Sequence, residues 1–394
     1  MLRSFLPVGQ GAFYIEQFNE YGGNKVNVVY DCGSLTSKKI VQEEIKSNFY
    51  EGEEILLVFI SHLDADHING LEFLMKYCNV KNIVFPLIPK PERYLLSLKY
   101  LCESDENDLE DFSFRVISNP YDAVMREYDN TRIIEIRDRD NEVYNDEIMD
   151  NVTTLSSGVN ILDVISPSKN SVLNTYWEYI PFNFRFHNRS CQFVKALKRN
   201  LKDIENLQNK IDIENIAEMW GYKSIQSAVK KAYREVNGDL NSNSMTLFSG
   251  VRESQIRQTY VMPFKMFRYH LKYSCTEKCL YDISKPNGCL YTGDYDTNSN
   301  WKELNKAYEK YWSYIGCIQV PHHGSYKNYN DKIAMYDAFY VISAGQNNQY
   351  RHPSGLVVKD LIYNKKYPFI VTEQRDKEVI FEVPLKKSYD KCNF

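Results

Sequence analysis

The sequence has no apolar run of ~18 residues, the length that a membrane-crossing helix needs, so no membrane span is expected. It has no excess of positive charge. Lys and Arg number 48 against 52 Asp and Glu, and the net charge of -4 supplies no global basic field for nucleic acid. A local basic patch stays open. It has no disulfide framework either: the 9 cysteines are odd in number and scattered. Reduced thiols in a cytosolic protein account for them most simply. Cys275, Cys279 and Cys289 are close enough for a small zinc site, but no fourth partner stands beside them. The opening "MLRSFLPVGQGAFYIEQF" lacks a long apolar segment and a cleavage site, so no signal peptide is expected and a cytoplasmic location is. Histidine is scarce, with 7 in 394 residues. That scarcity makes its placement informative.

What is present is ordinary globular composition, 43% hydrophobic and 25% charged, in a chain long enough for a sizeable core. The first ninety residues alternate strands and helices. "AFYIEQF", "VNVVYDCGS", "EILLVFISH" and "VKNIVFPLI" read as strands, while "KIVQEEIKSNFY" and "GLEFLMKYC" have helical spacing. Helix is expected over 91–103, then an acidic stretch, then strands at "RIIEIRD" and "VNILDVISP". Residues 169–240 differ: "CQFVKALKRNLKDIENLQNKI" and "IENIAEMWGYKSIQSAVKKAYREV" are amphipathic with few strand formers, which predicts a helical insertion. The β/α rhythm returns after 241 with "SMTLFSG", "GCLYTGD", "YIGCIQVPHHGS", "AFYVISAG", "FIVTE" and "VIFEVPL". The class is α/β. One catalytic domain over 1–168 and 241–394 is expected, with 169–240 as a helical insertion or cap.

Five of the seven histidines lie in three short motifs just beyond apolar strands; only His187 and His270 fall outside. Strand ends of α/β sheets are where ligands and catalytic groups collect. "SHLDADHING" offers His62, Asp64, Asp66 and His67, the ligand types of hard to borderline divalent metals, and Gly70 lets the backbone turn close to them. The plain alternative is a solvated acidic loop that caps the next helix. "LYTGD" adds Asp294, "VPHHGS" adds His322 and His323, and "ISAGQNNQYRHP" adds His352. Adjacent histidines point differently, so one of His322 and His323 is expected as ligand and the other as a cleft or supporting residue.

These motifs resemble the metallo-β-lactamase fold, and within it the soluble domain of ComEC-type competence proteins and its stand-alone relatives. The resemblance is carried in order by "LPVGQGAFYI", "VVYDCGS" with Asp31, "SHLDADHINGL", "NSNSMTLF", "LYTGD" and the closing pair "VPHHGS" and "ISAGQNNQYRHP". It covers most of 1–90 and 241–355. It implies an αββα sandwich with two divalent metal ions at one edge. His62 and Asp64 would bind the first. Asp66 and His67 would bind the second, with His322 or His323 completing it. Asp294 would bridge the two, and His352 would face the scissile group. Asn243 sits where many relatives have another His. The carboxylate of Asp64 and the amide of Asn243 harden the site, which favours Mn²⁺ or Mg²⁺ more than a His-rich site would, with Zn²⁺ still open. Such relatives often stand beside regulatory ATPases, including antiviral ones, which implies a partner of that kind.

The implied chemistry is hydrolysis by a hydroxide that two metals generate, with Asp66 orienting it and His323 or His352 handling the leaving-group proton. The 169–240 segment is the basic part of the chain, with Arg185, Arg189, Lys195, Lys198, Arg199, Lys202, Lys223, Lys230, Lys231 and Arg234 interleaved with Phe186, Trp220, Tyr222 and Tyr233. A cap of this kind suits a nucleic-acid backbone, and Lys198, Arg199, Lys230 and Ser325 are the substrate-binding candidates. The alternative is solvated helix faces offset by Asp203, Glu205, Asp212, Glu214 and Glu218. "NIAEMWGYKSIQSAVKKAY" has a faint helix-turn-helix look. The leading expectation is a metal-dependent phosphodiesterase that cuts DNA or RNA. The others are a cyclic-nucleotide phosphodiesterase and a regulatory subunit with a degenerate site.

Overall fold

The apolar runs become strands covered on both faces, which is why they read as continuous rather than alternating. The computed structural model describes residues 1–19, 25–103, 111–139, 152–165, 172–184, 188–202, 216, 219–235, 244–252, 262–263 and 285–383. Among these, the largest sheet has nine strands. Leu2–Phe5, Phe13–Asn19 and Lys25–Cys32 run antiparallel. From Lys25–Cys32 outward, Leu57–Phe59, Asn82–Pro86, Arg132–Ile136 and Val152–Leu155 run parallel. The second sheet has six strands and repeats the plan. Trp177–Phe182, Thr246–Val251 and Gly288–Tyr291 are antiparallel; Ile315–Gln319, Phe339–Ser343 and Pro368–Val371 continue in parallel.

The sheets pack face to face over Phe5, Tyr14, Tyr30 and Phe59 of the first and Trp177, Leu247, Tyr291 and Val341 of the second. The outer face of the first sheet packs on the helices Lys38–Asn48, Leu71–Tyr77 and Phe112–Ser118 through Val41, Ile45, Leu74 and Val116. The outer face of the second packs on Thr297–Ala307 and Gly355–Tyr363 through Leu304, Val357 and Leu361. The layers are therefore helix, sheet, sheet, helix, as the resemblance implies.

Two expectations are corrected. "VNILDVISP" is not a strand: Ile161–Ile165 is helical, and the strand that follows Arg132–Ile136 in the sheet is Val152–Leu155. The segment 169–240 is not helical throughout, because Trp177–Phe182 forms an edge strand of the second sheet. Its cap helices are Asn188–Lys202 and Lys223–Glu235. They share a core of Phe193, Leu197, Trp220, Ile225 and Val229 with Leu95, Leu98 and Leu101 of the helix Lys90–Glu103. No helix among the described residues is long and apolar enough to cross a membrane.

Candidate metal centre

The motifs meet because parallel strands of both sheets end on one edge. Asp31 closes Lys25–Cys32, and Ser61 and His62 follow Leu57–Phe59; Asp294 follows Gly288–Tyr291, and His322 and His323 follow Ile315–Gln319. The turns there approach closely. A Cβ on Gly33 would lie 2.6 Å from the His67 backbone nitrogen. One on Gly293, at φ +52, would lie 2.3 Å from Ser244 Oγ. The backbone N–H of Ala12 donates to the Asp66 carbonyl at 3.1 Å. Glycine in "VGQGA" and "DCGS" is thus what lets two turns pack against Asp66 and His67, and glycine in "TGD" lets a third pack against Ser61 and Ser244.

Three imidazoles are held at one nitrogen and left open at the other. Asp31 is fully buried, and its Oδ1 and Oδ2 accept from the Ser61 N–H and Oγ–H, both at 2.7 Å. With its proton committed there, Ser61 Oγ accepts from His62 Nδ1 at 2.9 Å. Asp31 Oδ2 also accepts from the His67 Nδ1–H at 2.8 Å. The Ser343 carbonyl accepts from the His323 Nδ1–H at 2.8 Å. Each Nε2 is then directed at the carboxylates of the cluster, His323 Nε2 at Asp66 Oδ2, and offers a lone pair once its proton is lost, the arrangement in which a supporting acceptor fixes a metal-ligating histidine.

The open atoms converge on Asp294. Its Oδ1 is 3.4 Å from His67 Nε2 and 3.8 Å from His323 Nε2. Its Oδ2 is 3.7 Å from His62 Nε2 and 3.6 Å from His322 Nε2. Asp66 Oδ2 lies 3.2 Å from His323 Nε2, and Asp64 Oδ2 lies 3.8 Å from His62 Nε2. Three groups of donors are close enough to share an ion: His62, His67 and Asp294; Asp66, His67 and His323; His62, Asp64 and Asp66. His62 Nε2, His67 Nε2 and Asp294 Oδ1 are buried with no hydrogen-bond partner. Buried polar atoms are rarely left so, and divalent cations would satisfy all three, so the residues present fit such ions.

Charge points the same way. Burial opposes ionisation of Asp294, but His322, His67, His323 and His62 outweigh it and hold the carboxyl well below its usual range. Burial likewise opposes Asp66, and His67 and His323 outweigh it to hold that carboxyl below its usual range. Burial and then the His67 charge lower His62 to about 4, so it is the neutral imidazole that a metal requires. Burial would lower His67 too, but Asp31, Asp294 and Asp66 raise it well above its ordinary value. His323 is raised in the same way against its burial, by Asp294 and Asp66.

The structure brings together His62, Asp64, Asp66, His67, Asp294, His322 and His323. It groups His323, rather than His322, with Asp66 and His67. The capping alternative for "DADH" does not hold: Asp64 makes no side-chain cap to the helix Ala65–Ile68, and Asp66 and His67 are buried. His352 stands beside the cluster, its ring 5.7 Å from that of His322 and stacked at 5.8 Å on Tyr350. Burial, then His323 and His322, lower it to about 4, so near neutral pH it is the unprotonated imidazole. Ser325 is buried next to the cluster, its N–H donating to the His322 carbonyl at 2.8 Å. Lys198, Arg199 and Lys230 are exposed on the cap helices, outside these groups, and Arg199 pairs with Glu235. Trp220 is core, not a stacking platform, and Tyr222 is exposed. Asn243, His187, His270, Arg185, Phe186, Cys275 and Cys279 lie outside the described residues. Cys289 is buried in a strand between the sheets.

The residue that the sequence did not reveal is Lys99. Its Nζ lies 2.9 and 3.2 Å from the two oxygens of Asp64. A lysine on an amphipathic helix gives no sequence signal of this kind. Ser61 did leave one, since a hydroxyl directly before the first His of the motif can hold its Nδ1.

Residues 12–116 match the family model described as the Metallo-beta-lactamase superfamily. That stretch contains the Asp31 turn and "SHLDADH" and ends before the downstream motifs. No curated protein matches the chain. The match, the two-sheet α/β fold and the His/Asp cluster together support a metal-dependent hydrolase built on a metallo-β-lactamase fold.

Proposed function

We propose that the protein is a ComEC-like metal-dependent phosphodiesterase, and specifically a nuclease. The observation that carries the reading is Asp294, whose two oxygens each face a different pair of imidazole Nε2 atoms. That division suits two ions: Asp66, His67, His323 and Asp294 would hold one, and His62, Asp64 and Asp294 would hold the other. Bound there, the ions would supply charge to the reacting phosphoryl group and an acidified water. Three carboxylates among the donors favour Mn²⁺ or Mg²⁺ over a softer His-rich zinc set. The chain's own residues do the rest. Asp31, Ser61 and the Ser343 carbonyl fix the imidazoles, so little reorganisation is needed. His352, neutral beside the cluster, would take the proton that the attacking water gives up and pass it to the leaving oxygen.

Purified protein supplied with Mn²⁺ should degrade DNA or RNA, and Asp66→Ala and His67→Ala variants should not. Equal survival of every nucleic acid with wild type and variants sinks the nuclease reading. A second reading, a cyclic-nucleotide phosphodiesterase, is favoured by one observation: burial of Trp220 and pairing of Arg199 with Glu235 leave the cap with fewer groups for a polymer than its sequence promises. Turnover of cyclic mononucleotides without cleavage of polymers would select it.

A further inference from the structure

Asp64 faces two ways. The Lys99 ammonium meets Oδ2 at 2.9 Å and Oδ1 at 3.2 Å, and the same Oδ2 lies 3.8 Å from His62 Nε2. Both members of the ion pair are mostly buried, with side chains 14% and 21% exposed. Such a pair is screened less than one at the surface, and pulling one charge away costs more. Asp66 and Asp294 differ: among the described residues their ion pairs are all with histidines. Lys99 is not a free rim residue. Its helix is gripped from behind, where Leu95, Leu98 and Leu101 enter the core of the cap, and the Tyr233 hydroxyl donates to the Leu95 carbonyl. The backbone that carries the ammonium is therefore fixed relative to the cluster.

We infer that Lys99 is a positioning residue that makes the two metal positions unequal. An ion beside His62 must share Asp64 with an ammonium already bound to it and must sit near that positive charge. An ion beside Asp66, His67 and His323 meets no such competitor. The second position fills first, and the first fills only when the ion supply is high. The inference rests on the metal-dependent reading above and goes beyond it, since the resemblance implies two positions but gives no order between them.

The test is calorimetric binding of Mn²⁺ to metal-free wild type, Lys99→Met and Lys99→Arg. Wild type should bind in two steps whose affinities differ by about tenfold or more. Lys99→Met should tighten the weaker step by about fivefold or more and leave the tighter one in place. Lys99→Arg should keep the wild-type separation, and Lys99→Gln replaces the Met variant should the latter not fold. The inference is overturned by a single step in wild type. It is equally overturned by a Met variant whose weaker step is unchanged, or looser because Lys99 organises Asp64 for the ion. No Mn²⁺ binding by any protein removes the metal-dependent reading and this inference with it. Two-step binding without cleavage of nucleic acid removes only the nuclease.

Discussion

At the scale of single residues, protonation and metal binding compete for the same atoms. His67 and His323 have raised pKa values, because Asp31, Asp294 and Asp66 outweigh burial at His67, and Asp294 and Asp66 do so at His323. Raised groups stabilise the metal-free fold below their unfolded value of ~6.5 and lose that contribution as the pH rises through the folded value. His62 and His352, each lowered to about 4, behave in the opposite way: their contribution is present above ~6.5 and lost as the pH falls. A metal must find its imidazoles deprotonated. Uptake near pH 7 should therefore release protons from His67 and His323 and none from His62. Calorimetry in buffers of different ionisation enthalpy reads this directly, and a zero slope of apparent enthalpy on buffer enthalpy would contradict it. Asp31 offers a second check at this scale. It fixes both Ser61 and His67 without facing the ions, so Asp31→Asn should weaken metal affinity by about 10- to 100-fold. Unchanged affinity in equilibrium dialysis would mean that the Asp31 contacts do not orient the ligands.

At the scale of elements, what could be read in the sequence follows from burial. "VNVVYD", "LLVFI", "CIQV" and "FYVIS" announced themselves because strands covered on both faces carry few polar residues to blur them, and their polar ends then marked the site. "ILDVI" misled because Ile161, Leu162 and Ile165 fit both periods; Asn160 Oδ1, which accepts from the Leu162 N–H at 3.3 Å, helps start the helix. "WEYIPF" carries Pro181, which argues against a strand in the sequence, yet an edge strand tolerates it. The cap was legible as helix but not as surface: Trp220 turned inward, while Lys195, Lys198, Lys230 and Lys231 stayed exposed. Whether those lysines meet phosphates can be measured. In an Asp66→Ala background, Lys198→Glu combined with Lys230→Glu should flatten the salt dependence of nucleic-acid affinity by about two units of slope. An unchanged slope would assign both lysines to a merely solvated face.

At the scale of the whole molecule, the donors belong to different sheets. His62, Asp64, Asp66 and His67 follow a strand of the first, and Asp294, His322 and His323 follow strands of the second. Ions held among them would tie the two sheets together at one edge, so they should stabilise the folded chain as a whole. Another tie runs between the sheets without metal. Arg3 Nε meets Glu16 Oε1 at 2.7 Å on the first sheet, and Glu16 accepts from the Tyr179 and Tyr291 hydroxyls and Ser249 Oγ of the second at 2.7–2.9 Å. Chelation should therefore loosen the molecule without unfolding it. An ion present at a hundred times its dissociation constant contributes about 2.7 kcal/mol. In a chain of this length that corresponds to a fall of about 3 °C in Tm on chelation, regained when Mn²⁺ is restored. Asp294→Ala removes the residue that faces both pairs of imidazoles, so its Tm should respond to neither chelator nor ion. A variant that still loses stability on chelation would put the stabilising ion somewhere other than the junction of the two sheets.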